Sequence, residues 1–399
     1  MLSSKECMAL ESRYGAKNYK PIPVVISKAK GVWVWDPEGK KYLDCLSAYS
    51  AVNQGHRHPK IIKAVKQQMN RVTLTSRAFH NDRLGSYMKK LCGFSGFEVI
   101  LPMNTGAEAV ETGIKVARRW GYRVKKVPIN QAEIITANEN FHGRTTTIVG
   151  FSTDEGARAD FGPFTPGFIN IPYNDPEALE KAITPQTVAF MVEPIQGEAG
   201  VIIPDEGYLK KVREICDRHQ VLLILDEIQT GFARTGKMFC FQHENVIPDL
   251  LLVGKALSGG ILPVSAVITR HDIMDVITPG SHGSTFGGNP LGCAAAEAAL
   301  DVLIDEKLDE RSSELGRYFL DGIKAIASPL FKEVRGKGLL IAIELHESAG
   351  GARQFTEKLK EKGVLAKETH THTIRFAPPL VIKKKEIDWI LEILKTVFA

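Results

Sequence analysis

Val221-Leu222-Leu223-Ile224-Leu225-Asp226-Glu227 and, further on, Asp249-Leu250-Leu251-Leu252-Val253-Gly254-Lys255-Ala256-Leu257-Ser258-Gly259-Gly260 are the stretches on which the fold turns. Each is a short, wholly apolar run that ends on charge. Strands of that kind belong inside a parallel sheet covered on both faces. A lysine closes a buried strand poorly unless its amine is needed. Desolvation makes that amine easier to deprotonate and able to form a Schiff base. The carboxylate of Asp226, offered by a neighbouring strand end, can hold a pyridine nitrogen protonated. Lys255 and Asp226 together are the minimal equipment for pyridoxal phosphate chemistry.

The same texture extends outward. Residues 133–137 and 188–192 read as further strands, and another follows at 264–268. Between them Leu209, Val212, Ile215 and Cys216 share one helix face. Apolar strands alternating with amphipathic helices predict an α/β domain built on a mostly parallel sheet. Residues 143–172, dense in Gly, Pro and Thr, read as a long loop of the sort that carries function. Beyond 285 the pattern changes. Helices over 295–306 and 308–326 precede strands near 339–345, 364–368 and 373–377, and a last helix aligns Ile387, Ile390, Leu391 and Leu394. Near the start, Val32-Trp33-Val34-Trp35 and the turn Asp36-Pro37-Glu38-Gly39 read as strand and hairpin material. The expected organisation is an N-terminal segment over 1–49 packing with the small domain, a large domain over 50–284, and a smaller α+β domain over 285–399.

Bulk composition excludes several classes of function. The chain has 399 residues, 44% apolar and 24% charged, the balance of a globular protein with a large core. Its net charge of +5 is dispersed, and no basic stripe interleaves with aromatics, so no nucleic-acid partner is expected. The densest basic run, Lys383-Lys384-Lys385, opens an amphipathic pattern and reads as a solvated helix start. The six cysteines show no CxxC spacing and read as reduced thiols. No run approaches membrane-spanning length, and the N-terminus lacks a signal-peptide core. The expected compartment is the cytoplasm.

Local motifs add detail. Thr105 and Glu108 have capping-box spacing ahead of a helix with Ala107, Val110, Ile114 and Ala117 on one side. Gly106 and Ala107 would leave the first amides open to an anion, although an ordinary capped helix explains the same residues. Gly254-Lys255 is not a nucleotide P-loop, because Ala256 follows and no glycine precedes at the required place. No GxGxxG follows a strand. His56-Arg57-His58 and His370-Thr371-His372 lack partners at metal-binding spacing, so no metal is expected. In Phe141-His142-Gly143-Arg144, the phenyl ring suits stacking on a flat cofactor and Arg144 suits a carboxylate; a core Phe and a surface Arg are the plain alternative. Arg375 alternates with apolar neighbours and faces either solvent or a polar cleft.

The run from Leu225 to Gly236, with Pro248-Asp249 and Gly254 to Gly260, resembles the signature of the class III pyridoxal phosphate aminotransferases. That resemblance implies fold type I, the aspartate aminotransferase-like fold. Within the family, similarity extends through residues 14–19, Tyr49-Ser50-Ala51-Val52-Asn53-Gln54-Gly55-His56, 73–79, Glu193-Pro194-Ile195-Gln196-Gly197-Glu198-Ala199-Gly200, 282–290 and 374–379, a set similar to members that act on ornithine. His142 departs from the tryptophan expected in animal members, and the chain begins almost at the family core, which implies no mitochondrial presequence.

The resemblance implies roles residue by residue. Lys255 would carry the cofactor, pyridoxal 5'-phosphate, as a Schiff base. Asp226 would pair with the ring nitrogen and Gln229 with the ring hydroxyl. Phe141 and Ile228 would cover the two ring faces, beside His142. Thr105, Gly106 and Ala107 would hold the phosphate. Ser284 and Thr285 would reach the phosphate of a neighbouring subunit, which implies a homodimer with shared active sites. Tyr19, Tyr49, Arg144, Glu193, Glu198 and Arg375 would bind substrate. The implied reaction moves the δ-amine of L-ornithine to 2-oxoglutarate with ping-pong kinetics, giving glutamate 5-semialdehyde and glutamate. Transamination of N-acetylornithine or 4-aminobutyrate on the same fold is the alternative. A non-catalytic scaffold is disfavoured by the intact Lys255, Asp226 and Glu198.

Overall fold

Alternate residues of the central strands feed two different hydrophobic cores, and this determines the architecture. Leu223 and Leu225 join one core with Phe190, Leu251 and Val253. Leu222 and Ile224 join the other with Met191, Leu250 and Leu252. A strand with apolar side chains on both faces must sit between two layers of helices. The computed structural model describes residues 2–399 and shows that arrangement.

The main sheet has seven strands in the order Val99–Met103, Ser265–Thr269, Leu250–Val253, Leu222–Asp226, Thr187–Val192, Glu133–Ala137 and Phe168–Ile171. All run in one direction except Ser265–Thr269, which is antiparallel to both neighbours. Helix Gly106–Trp120 packs on one face through Val110, Ile114 and Ala117. Helix Tyr208–Arg218 packs on the other through Leu209, Val212, Ile215 and Cys216.

Two smaller sheets complete the molecule. Phe331–Lys337, Leu340–Leu345, Thr373–Phe376 and Lys367–Thr369 form an antiparallel sheet in that order. Lys28–Lys30, Trp33–Trp35 and Lys41–Asp44 form the third, and Val364–Leu365 adds to it parallel to Lys41–Asp44. The N-terminal hairpin is thereby stitched to the C-terminal part of the chain. No helix among the described residues is long and apolar enough to cross a membrane.

Four regions differ from the sequence reading. The strand expected over 364–368 is split at Ala366, and its halves serve different sheets. The 143–172 stretch is not one loop. Thr145 and Asp154 cap short helices at Thr146–Gly150 and Glu155–Arg158, and Phe168–Ile171 is the sheet's outer strand. Val99–Met103 escaped notice because Pro102 interrupts it; it lies at the sheet edge, where proline is tolerated. Helix Ser4–Tyr14 also lacked an apolar signal, since it buries none of its residues and rests on a Ser3–Glu6 capping box.

Candidate active site

The neighbouring strands Leu222–Asp226 and Leu250–Val253 run side by side, pairing Asp226 with Leu252. Asp226 and Lys255 therefore line one deep chamber together with Gly106, Ala107, Phe141, His142, Glu193, Ile228 and Gln229. Lys255 begins a tight turn in the left-handed region, φ 40°, a conformation that costs a non-glycine residue about 1–3 kcal/mol. Burial pushes its amine below the usual lysine range, aided by Arg375 and opposed by Glu198.

Asp226 is buried, and each of its oxygens has one partner in the protein. Oδ2 lies 2.6 Å from His142 Nδ1, and Oδ1 accepts from Ile228 N at 3.0 Å. His142 is itself buried. Burial works against its charged form, yet the Asp226 carboxylate raises its pKa overall. Its Nε2 has no partner in the protein. Glu193 accepts from Phe141 N at 3.0 Å and Gly197 N at 3.4 Å. Burial, with Asp226 nearby, pushes its carboxyl up to about 7.

The expected capping box forms at the start of helix Gly106–Trp120. Thr105 Oγ1 accepts from Glu108 N at 3.2 Å, and the Glu108 carboxylate accepts from Thr105 N at 2.7 Å. The amides of Gly106 and Ala107 stay without helical partners. A Cβ on Gly106 would meet Ile228 at 3.1 Å, so glycine keeps that approach clear. An open helix N-terminus, a lysine of depressed basicity and a carboxylate within one chamber fit pyridoxal phosphate: cradle for phosphate, amine for aldehyde, Asp226 for ring nitrogen.

An outer chamber adjoins this one and shares Phe141 and His142 with it; Tyr19, Tyr49, Arg144, Glu198 and Arg375 line it. Arg375, 1% exposed, faces the polar cleft rather than solvent. It donates to Glu198 Oε1 at 2.8 Å, to Gly197 O at 3.0 Å and to Gln229 Oε1 at 3.1 Å. Gln229 Nε2 in turn donates to Glu198 at 3.1 Å. Burial alone would raise the Glu198 pKa, but Arg375 and Lys255 hold it down at about 2. The Tyr49 ring faces the Arg375 guanidinium at 5.2 Å. Tyr49 belongs to a run of non-glycine residues, Ser47 to Ser50, all with φ between 47° and 70°. Asp44 Oδ1 restrains that run by accepting from Leu46 N and Ser47 N. Tyr19 is 73% exposed at the rim, and Arg144 sits over the Phe141 ring at 5.6 Å.

Not every expected residue converges. Glu193 lines the deep chamber rather than the outer one where substrate contacts gather. Thr105, the N-cap itself, lines an adjoining cavity with Gly106 and Lys255 rather than the deep chamber. Ser284 and Thr285 line neither chamber; Ser284 Oγ accepts from Asn104 Nδ2 at 2.9 Å and Thr285 is exposed. The first histidine pair is used otherwise: His56 meets Asp44 at 2.8 Å and His58 meets Glu306 at 2.9 Å. Two outer-chamber residues, Lys367 and Glu368, were missed. No signal in the sequence marked them, because Lys367 falls opposite Arg375 only through the division of the strand at Ala366.

A site of this make-up, set at the ends of parallel strands, defines a pyridoxal phosphate-dependent transferase of fold type I. The chain belongs to the class III aminotransferases: the family model described as aminotransferase class-III matches residues 14–398. It is 63% identical over 385 residues to an ornithine aminotransferase from Brevibacillus brevis, covering 96% of each chain. Among solved structures it is similar to an ornithine aminotransferase from Toxoplasma gondii, with a TM-score of 0.98 and 47% identity over 100% of this chain and 95% of that one. It is also similar to an acetylornithine aminotransferase from Elizabethkingia anophelis, with a TM-score of 0.91 and 50% identity over 100% and 99% of the two chains.

Proposed function

We propose that this protein transfers the δ-amino group of L-ornithine to 2-oxoglutarate, giving L-glutamate 5-semialdehyde and L-glutamate. The observation that carries the proposal is the pairing of buried Arg375 with part-buried Glu198 at 2.8 Å. Ornithine reacts at a carbon with no carboxylate beside it, whereas glutamate reacts at one that has it. A pocket serving both needs a cation that is neutralised for the first and free for the second. An unpaired guanidinium in a dry site is costly, and Glu198 removes that cost while ornithine is bound. When bound, pyridoxal phosphate supplies an aldehyde that takes up the amine and a ring that absorbs charge from the reacting carbon. Lys255 Nζ would serve as the base that accepts the proton from the donor's δ-carbon. Asp226, backed by His142, keeps the ring nitrogen protonated. Arg375 holds the carboxylate next to the reacting carbon of glutamate, Arg144 the distal carboxylate of 2-oxoglutarate, and Tyr19 and Tyr49 orient ornithine.

Pairing of Val364–Leu365 with Lys41–Asp44 supports an N-terminal segment over 1–49 that goes with a small domain over 285–399, around a large domain over 50–284. The exposure of Thr285 and Phe286 supports a homodimer in which Ser284 and Thr285 serve the neighbouring phosphate site. We place the protein in the cytoplasm. The second reading, N-acetylornithine as donor, is favoured by the Elizabethkingia likeness. A donor panel of ornithine, N-acetylornithine and 4-aminobutyrate, reading aldehyde formation by purified protein, separates them. Ornithine should lead; a lead by N-acetylornithine would overturn the proposal.

A further inference from the structure

Lys367 pairs directly with Arg375 across strands Lys367–Thr369 and Thr373–Phe376. Residues directly opposed in an antiparallel pair project from the same face, and like charges there destabilise the sheet. Such a placement needs anions close by. Arg375 has Glu198. Lys367 has Glu368: Nζ donates to Oε1 at 2.7 Å and to the backbone oxygen at 3.3 Å. An ammonium carries three donors, so one is left for a ligand. Lys367 lines the outer chamber along with Tyr19, Tyr49 and Arg375. Its side chain is 28% exposed against 2% for Arg375, which places it nearer the mouth. Glu368 is fixed in turn by Arg353 at 3.0 Å and Thr356 at 3.1 Å. Arg353 also donates to the backbone oxygens of Lys20 and Pro21, next to Tyr19. One chain of contacts therefore ties the Lys367 arm to the segment bearing Tyr19, and an arm held in place loses little freedom when a ligand arrives.

Building on the reading of ornithine as donor, we propose that Lys367 is a specificity-determining residue that binds the α-carboxylate of ornithine, with Glu368 and Arg353 as positioning residues. With its δ-carbon at the reacting centre, ornithine carries that carboxylate at the far end of its chain, toward the mouth. A donor without the carboxylate gives Lys367 nothing to bind.

The test compares ornithine with 1,4-diaminobutane, the same chain lacking the carboxylate, on the holoenzyme. Lys367→Met should raise KM for ornithine about tenfold or more, the scale of a charged hydrogen bond, with kcat kept within about twofold. KM for diaminobutane and for 2-oxoglutarate should stay within about twofold. Lys367→Arg should recover most of the loss, which a merely structural role would not require. If Lys367→Met fails to fold, Glu368→Gln, which loosens the arm, should raise KM for ornithine several-fold and spare diaminobutane. Equal shifts for ornithine and diaminobutane, or no shift, overturn the inference. Failure of the unmutated protein to use ornithine at all sinks the donor reading, and this inference falls with it.

Discussion

The two chambers are built on opposite plans. The deep one rests on the ends of adjoining parallel strands and on one capped helix, so its groups are fixed by a scaffold buried on both faces. The outer one is assembled from the N-terminal segment, the left-handed run at 47–50, the 139–144 segment, the loop bearing Glu198 and the antiparallel ribbon at 367–376. Under the proposed function, the chemistry common to every substrate sits on the rigid plan, and the recognition that changes between half-reactions sits where a side chain can exchange partners. Glu198 and Gln229 mark the seam, since both bond Arg375 while Gln229 also lines the deep chamber.

The largest effect should come from the deep chamber. Lys255→Ala removes the group proposed to move the proton, and turnover should fall about a thousandfold or more for every donor alike. The uptake of pyridoxal phosphate as a visible absorption band should vanish with it. A loss confined to ornithine would break the division between chambers.

Next comes the outer chamber. Glu198→Ala frees Arg375 permanently, which should favour the partner with a carboxylate beside its reacting carbon. Single-turnover rates should shift the ratio of glutamate to ornithine about tenfold to a hundredfold, the worth of one charged hydrogen bond. Equal changes in both half-reactions would show that the pair is no switch.

Glu193 sharpens the comparison through pH. Its carboxyl titrates at about 7 in the folded protein because burial disfavours the charge. A carboxyl raised on folding contributes stability that is complete below its unfolded value and lost as pH rises through the folded one. The cofactor-free protein should therefore lose up to about 3 kcal/mol between about pH 4.5 and pH 7 from this group. Chemical denaturation of Glu193→Gln across that range should give a flatter profile; an unchanged slope would remove the charge from this account of the site.

The smallest effect concerns the strained run. Ala48 is exposed and holds φ 47°. Ala48→Gly should stabilise the protein by about 0.5–1 kcal/mol, since a Cβ in the left-handed region costs about 1–2 kcal/mol and glycine's extra freedom when unfolded returns part of it. The same change should raise KM for ornithine modestly by loosening Tyr49. Destabilisation would mean that the run is not strained.

The two plans also explain what could be read from the chain before any coordinates. The deep chamber was legible because its residues lie on continuous apolar runs whose ends are visible in one dimension. Asp226 and Lys255 followed from that, and the Thr105–Glu108 box marked the start of the helix. The bond between His142 and Asp226 was not legible, because it depends on how a loop packs across the sheet. Lys367 stayed hidden for a sharper reason. The stretch reads as one strand over 364–368, and only its division at Ala366 puts Lys367 opposite Arg375. Val99–Met103 was lost to Pro102, whose meaning depends on whether the strand is central or at an edge.

The most direct test follows nitrogen. L-Ornithine labelled with 15N at the δ position, incubated with the holoenzyme and unlabelled 2-oxoglutarate, should yield 15N-glutamate and an unlabelled-aldehyde skeleton, glutamate 5-semialdehyde that retains its α-nitrogen. Label appearing in glutamate only when the α-nitrogen of ornithine carries it, or in neither case, would contradict transfer of the terminal amine.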